Sequence, residues 1–276
     1  MSARSYLYVP GDQPDKLAKA LTRGADAVIL DLEDAVPADR KDEARATVAG
    51  FLQSLDGSYR GQIWVRVNPG VLLEEDVSVL TQLRFDGISL PKASALELER
   101  LHAMIAGLEL GVMPLVETAD GVLNVAGIAG ARGVARLQIG EADLAAQLGI
   151  DASEDGREFA AIRSQIIVAS AAFGLEPPVG PVSTDFHDVE ALRASTLALR
   201  RMGFGSRAAI HPRQVAVIND AFTPNDGEIA AAQDILDRFE AAGGGVVLDV
   251  QGRMVDEPIV RAARRIIERA AIIRGA

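Results

Sequence analysis

The sequence predicts an α/β fold: a closed (β/α)8 TIM barrel with a short C-terminal appendage. Three observations carry this. Short apolar stretches alternate with longer segments of helical periodicity, the pattern of parallel βα units. Eight such units fit within about 220 residues, the size of this barrel. The first strand is followed by PGDQPDK, which is not the glycine fingerprint of an open dinucleotide-binding sheet.

The eight strand-like stretches come in order. They are YLYVPG from Tyr6, AVILDLE from Ala27, QIWVRVN from Gln62 and GISLPK from Gly87. GVMPLVET from Gly111, RLQIGEAD from Arg136, PVGPVST from Pro178 and SRAAIHP from Ser206 complete the set. Between them, LELERLHAMIAGL from Leu96 and FAAIRSQIIVASAAFGL from Phe159 place apolar residues at three- and four-residue spacing, as helices do. Gly203 to Ala208 fits GxGxxA, but it precedes a strand, so a tight helix-to-strand turn explains it better than a nucleotide site.

After Pro224 the pattern changes. DGEIAAAQDILDRFEAA reads as a helix, VVLDVQGRMVDEP as a hairpin turning near Gln251-Gly252, and IVRAARRIIERAAIIRG as a basic helix. The expected division is a catalytic barrel at residues 1–222 and a helix–hairpin–helix extension at 223–276, which packs on the barrel or on a neighbouring subunit.

Composition narrows the function. The chain has 276 residues, 49% hydrophobic and 24% charged, with a net charge of −11. General nucleic-acid and anionic-membrane binders are usually basic, so neither is expected as a partner. There is no cysteine, which excludes disulfides, thiolate nucleophiles and Cys-ligated metals. No apolar run approaches the ~18 residues of a membrane span, and the first residues lack the apolar core of a signal peptide. A cytoplasmic location is expected.

In such a barrel, chemistry sits at the C-terminal ends of the strands. Those ends carry Glu33 and Asp34, Arg66 and Asn68, Lys92, Glu117 and Thr118, Glu141 and Asp143, and His211. Grouped carboxylates repel unless a cation lies among them. With carboxylates available and few histidines, Mg2+ suits the set, and Glu117 with Asp143 is the best direct pair. Arg66 is placed to meet a substrate carboxylate or a developing oxyanion. Lys92 reads as an ion-paired ammonium rather than a Schiff-base nucleophile. Asp31, one step of the pleat deeper, reads as a plain hydrogen-bond acceptor.

An ordered set of motifs spans nearly the whole chain: LYVPGDQPDKLAKA from Leu7, ADAVILDLEDAV from Ala25, VRVN from Val65, LPKA from Leu90, LVETADGVLN from Leu115, IGEADLAAQLG from Ile139, IHPRQV from Ile210 and GRMVDEP from Gly252. With these the sequence resembles the citrate lyase β-subunit family, within the citrate lyase-like and HpcH/HpaI aldolase barrels. The resemblance implies a Mg2+-dependent lyase that splits a 3-hydroxyacyl-CoA thioester (citryl-, citramalyl- or malyl-CoA) into acetyl-CoA and oxaloacetate, pyruvate or glyoxylate. It implies Glu117 and Asp143 as metal ligands, with Glu117 also near the substrate, and Arg66 on the oxo-acid oxygens. Glu33 and Asp34 become partners of the metal's waters. Asp256 becomes an acid/base lent by a neighbouring subunit of a homotrimer, or a multiple of one. Tyr8, Pro10, Gly11 and Lys19 become the CoA side of the site. The family pattern carries Arg at the position of Gln13 and often Asp at that of Gly180, and Glu141 adds a further carboxylate close to the metal. Two alternatives stay open: a metal-dependent aldolase on free hydroxy-oxo acids, and a β subunit active only within a multi-subunit citrate lyase with its acyl carrier.

Overall fold

A computed structural model describes residues 3–153 and 155–275; Met1 and Ala276, the outer ends of the two expected domains, lie outside it. The chain divides into two units between Asp220 and Ala221. The first is a closed barrel of eight parallel strands in sequence order. They are β1 Ser5–Pro10, β2 Ala27–Asp31, β3 Gln62–Arg66, β4 Gly87–Leu90, β5 Gly111–Val116, β6 Gln138–Ile139, β7 Val179–Gly180 and β8 Ser206–Ala209.

Alternation along the strands decides what fills the barrel. Tyr6, Ala27, Ile29, Trp64, Met113, Val179 and Ala208 form one buried cluster inside it, with Tyr8 packed against them. The opposite faces of the strands meet the helices, and Val28, Leu30, Val65, Ile88 and Val112 are buried there. These strands are covered on both sides, which is why they read as nearly unbroken apolar runs.

Three strands are shorter than their motifs suggest. β2 ends at Asp31, because its carboxylate turns the chain: Oδ1 accepts the Glu33 N–H at 2.9 Å and Oδ2 the Ala35 N–H at 3.3 Å. β7 stops before Pro181, which has no N–H to continue the ladder. β6 gives way at Gly140 to the helix Glu141–Leu148, so Glu141 and Asp143 lie in a helical first turn rather than at a strand end. The GxGxxA stretch is the expected turn: Gly203, at φ +113°, ends the helix Val189–Met202 just before β8.

The second unit holds the helix Asp226–Ala241, the antiparallel pair β9 Val247–Leu248 and β10 Met254–Val255, and the helix Glu257–Arg274. Asn225 and Glu228 close a reciprocal capping box on the first of these helices. Among the described residues no helix is long and apolar enough to cross a membrane.

Candidate active site

A cavity of about 840 Å3 opens at the C-terminal ends of the strands. Tyr8, Pro10, Asp31, Asp34, Arg66, Glu117 and Asp143 all line it.

Arg66 ends β3 directly opposite Asp31 of β2 in the sheet register. Its Nε donates to Asp31 Oδ1 at 2.7 Å and its Nη2 to Oδ2 at 2.6 Å. Its Nη1 lies 2.9 Å from Glu33 Oε2, and its guanidinium stands 4.8 Å over the Tyr8 ring. Burial alone would lower the Arg66 pKa, but the hydrogen bonds and charge of Asp31, with Tyr8 and Glu33, more than offset it and hold the cation charged. Asp31, read from the sequence as a plain acceptor, is thus the residue that fixes the arginine's plane. The signal was available, since AVILD and QIWVR align residue for residue and end in opposite charges.

Glu33 was expected to face the metal's waters. Both its oxygens are taken: Oε1 accepts from Lys92 Nζ at 2.6 Å, and Oε2 meets Arg66 and accepts the Asp34 N–H at 3.0 Å. It is buried between two cations and does not line the cavity. Asp34 lines it, half-exposed, 3.9 Å from Arg66 Nη1. Asn68 holds the β3 loop, donating from Nδ2 to Leu32 O and Asp76 Oδ2.

Lys92 adopts φ +48°, a left-handed conformation uncommon outside glycine. The turn sends its ammonium to Glu33 while its backbone N–H donates to Glu117 Oε1 at 2.7 Å. Glu117 is buried, and burial first, then the charges of Asp143 and Glu33, push its carboxyl up to about 7 against the Lys92 hydrogen bond. A glycine makes its place: a Cβ at Gly140 would lie 2.6 Å from Glu117 Cβ and 2.7 Å from Oε2. Asp143 makes no hydrogen bond or ion pair with another described residue.

Among the described residues no group of three or more His, Asp or Glu side chains gathers at metal-binding spacing. Mg2+ does not need one, because it binds through one or two carboxylates and keeps its waters for substrate oxygens to replace. Glu117 and Asp143, mutually repelling and open to the cavity, fit that donor set. Glu141 does not join them. Arg163 holds it through two bonds, Nε to Oε1 at 2.6 Å and Nη2 to Oε2 at 2.7 Å. Arg163 was hidden in the sequence inside an apolar helical stretch.

The CoA-side residues divide. Tyr8 and Pro10 line the cavity, and the Tyr8 hydroxyl shares hydrogen bonds with Gln138, while burial pushes its pKa up to about 12. Gly11 is packed elsewhere. Its N–H donates to Asp31 O at 2.8 Å, and a Cβ there would meet that oxygen at 2.8 Å and Val48 Cγ2 at 2.9 Å. It is a close-packing glycine and does not line the cavity. Lys19 stands exposed on the helix Pro14–Ala20 and does not line the cavity. Asp256, in the second unit, caps the helix Glu257–Arg274, its Oδ1 accepting the Ile259 N–H at 3.4 Å.

The family model HpcH/HpaI aldolase/citrate lyase matches residues 4–212. The chain belongs to this family. Among HpcH/HpaI aldolase/citrate lyase relatives, a (3S)-malyl-CoA thioesterase of Cereibacter sphaeroides is 37% identical over 277 residues, covering 98% of this chain and 95% of the relative. The mitochondrial citramalyl-CoA lyase of Rattus norvegicus is 30% identical, covering 98% and 87%. The crystal structure of CitE from Mycobacterium tuberculosis in complex with magnesium, acetoacetate and coenzyme A matches at a TM-score of 0.84 and 31% identity, over 98% of each chain.

Proposed function

We propose that this protein is a Mg2+-dependent carbon–carbon lyase acting on a 3-hydroxyacyl-CoA thioester and releasing acetyl-CoA and a 2-oxo acid. One observation carries the reading. Glu117 and Asp143, neither of which pairs with a cationic side chain of a described residue, share a cavity with an arginine held in a fixed plane.

Glu117 and Asp143 would hold the ion, which supplies Lewis-acid polarisation of the substrate's oxygens when bound. Arg66, kept cationic and oriented by Asp31, offers positive charge to the carboxylate of the oxo acid or to the departing thioester enolate. Burial pushes the Glu33 carboxyl up, Arg66 and Lys92 pull it back toward the charged form, and the Lys92 backbone N–H orients Glu117. Tyr8 and Pro10 would form the wall along which the acyl chain lies, and we assign the exposed Lys19, which does not line the cavity, to a CoA phosphate. The enolate carbon needs a proton from an acid. Asp256 of a neighbouring copy in a homotrimer is our assignment for it, with the extension covering that copy's site in a cytoplasmic enzyme.

A second reading is thioester hydrolysis at the same site, favoured by the name of the 37%-identical relative. Citryl-, citramalyl- and malyl-CoA, incubated with Mg2+ or with a chelator and analysed for products, separate the two. The lyase gives acetyl-CoA and a 2-oxo acid; a hydrolase gives free CoA and the intact hydroxy acid. Turnover of free hydroxy-oxo acids alone, or only of a carrier-bound acyl group, would replace the first reading.

A further inference from the structure

The catalytic cavity extends past β7 to a second cation that the reaction above does not use. Arg207, in the middle of β8, points away from the barrel interior, toward the helix Val189–Met202, and lines the cavity together with Pro181, Ser195 and Arg163. It is only 5% exposed. Its bonds go to neutral oxygens: Nε donates to Pro181 O at 2.9 Å, and Nη1 to Ser195 Oγ and Thr196 Oγ1 at 2.8 Å and to Leu192 O at 3.4 Å. Among the described residues, Nη2 donates to none and no carboxylate pairs with the side chain.

A buried guanidinium without a counter-ion is costly, and buried charges are normally paired. Burial depresses Arg207 to about 10, and Glu141 pulls it up while Arg163 pushes it down. Glu141 is already bound through both oxygens by Arg163. Two arginines therefore face one carboxylate. Of the described acids on the loops beside it, Asp155 is engaged with Arg157 and Ser153, Asp185 with the His187 and Asp188 N–H groups, and Asp188 with the Ala191 N–H. Gly180, the β7 residue in register with Arg207, has no side chain to supply a charge.

We infer that Arg207 is the anchor of an oxyanion subsite, taking one carboxylate or phosphate group at the helix-side end of the cavity. The planar fork suits either group, with Nη2 free to donate and the hydroxyls of Ser195 and Thr196 fixing the plane. The subsite stands on Arg207's surroundings and does not depend on the lyase reading.

The test is the stability of the full-length, metal-free protein in inorganic phosphate, in acetate and in chloride at matched ionic strength. Phosphate or acetate raises the wild-type Tm over chloride by roughly 2–4 °C near saturation; the more effective anion tells phosphate from carboxylate. Arg207→Lys keeps part of the shift and Arg207→Met loses it. Arg207→Met is at least as stable as wild type in chloride, because it removes an unpaired buried charge. An equal anion shift in Arg207→Met, or none in wild type, overturns the subsite. Hydrogen exchange of wild type decides the matter should Arg207→Met not fold. Phosphate or acetate must slow exchange around residues 179–183, 191–199 and 206–209; protection confined elsewhere contradicts the inference.

Discussion

Asp31 and Arg66 face each other across the β2–β3 ladder and are joined by two hydrogen bonds of 2.7 and 2.6 Å. The pair is the rigid edge of the candidate site. An arginine free to sweep its rotamers would meet a substrate oxygen less often than one whose plane is set in advance.

Replacing Asp31 with Asn keeps the shape and removes the charge that balances Arg66. Breaking a buried pair from one side costs about 3–5 kcal/mol, and Glu33 at 2.9 Å should bring the loss to the lower end. Denaturant unfolding reads the stability. At a temperature where Asp31→Asn stays folded, kcat should fall at least roughly tenfold, as expected when a transition-state contact loses its orientation. Unchanged kcat would separate the pair from catalysis.

Glu117 gives a pH signature. In the folded, metal-free chain its carboxyl sits at about 7, against an ordinary value of 4.5. The folded state therefore keeps a proton that the unfolded chain has released. Its contribution to stability is present below 4.5 and is lost as pH rises toward about 7, a change on the order of 3 kcal/mol. Urea titrations in chelator across that window should show declining stability. Saturating Mg2+, which binds the ionised carboxylate, should flatten or reverse the slope.

Gly140→Ala should act on Glu117 and little else. The new methyl would arrive 2.6 Å from Glu117 Cβ, so the glutamate must move. Overpacking of this kind costs about 1–3 kcal/mol. Mg2+ affinity, measured calorimetrically, should fall along with activity, while the far-UV spectrum stays that of the wild type.

Lys92 is held by Glu33 at 2.6 Å, and that bond and charge raise its pKa against burial. A protonated, paired ammonium is a poor nucleophile. Borohydride reduction in the presence of a 2-oxo acid should leave Lys92 unmodified by mass spectrometry; a trapped adduct would mean an aldolase of a different kind.

The barrel was legible in the sequence because its strands are buried on both faces and their charged ends stand out against apolar bodies. Glu117 and Asp143 were legible as a pair for the same reason. Glu141 was not, because its partner Arg163 lies 22 residues further on, in another helix. Gly11 looked like part of a ligand loop. Its real constraint, the approach of β1 to Asp31 O and Val48, appears only when three elements are packed. Arg207 went unread as well, although a lone charge inside SRAAI was the visible signal. Sequence tells which charges lie near a rim; only packing tells which of them are already spent on each other.

The most direct test compares wild type with Asp143→Ala on citryl-, citramalyl- and malyl-CoA, in Mg2+ and in chelator. Wild type should release acetyl-CoA and a 2-oxo acid from at least one ester only when Mg2+ is present, and Asp143→Ala should lose that activity while unfolding at a similar temperature. Cleavage that survives in chelator or in Asp143→Ala, or no cleavage of any ester by wild type at saturating Mg2+, would contradict a Mg2+ lyase built on Glu117 and Asp143.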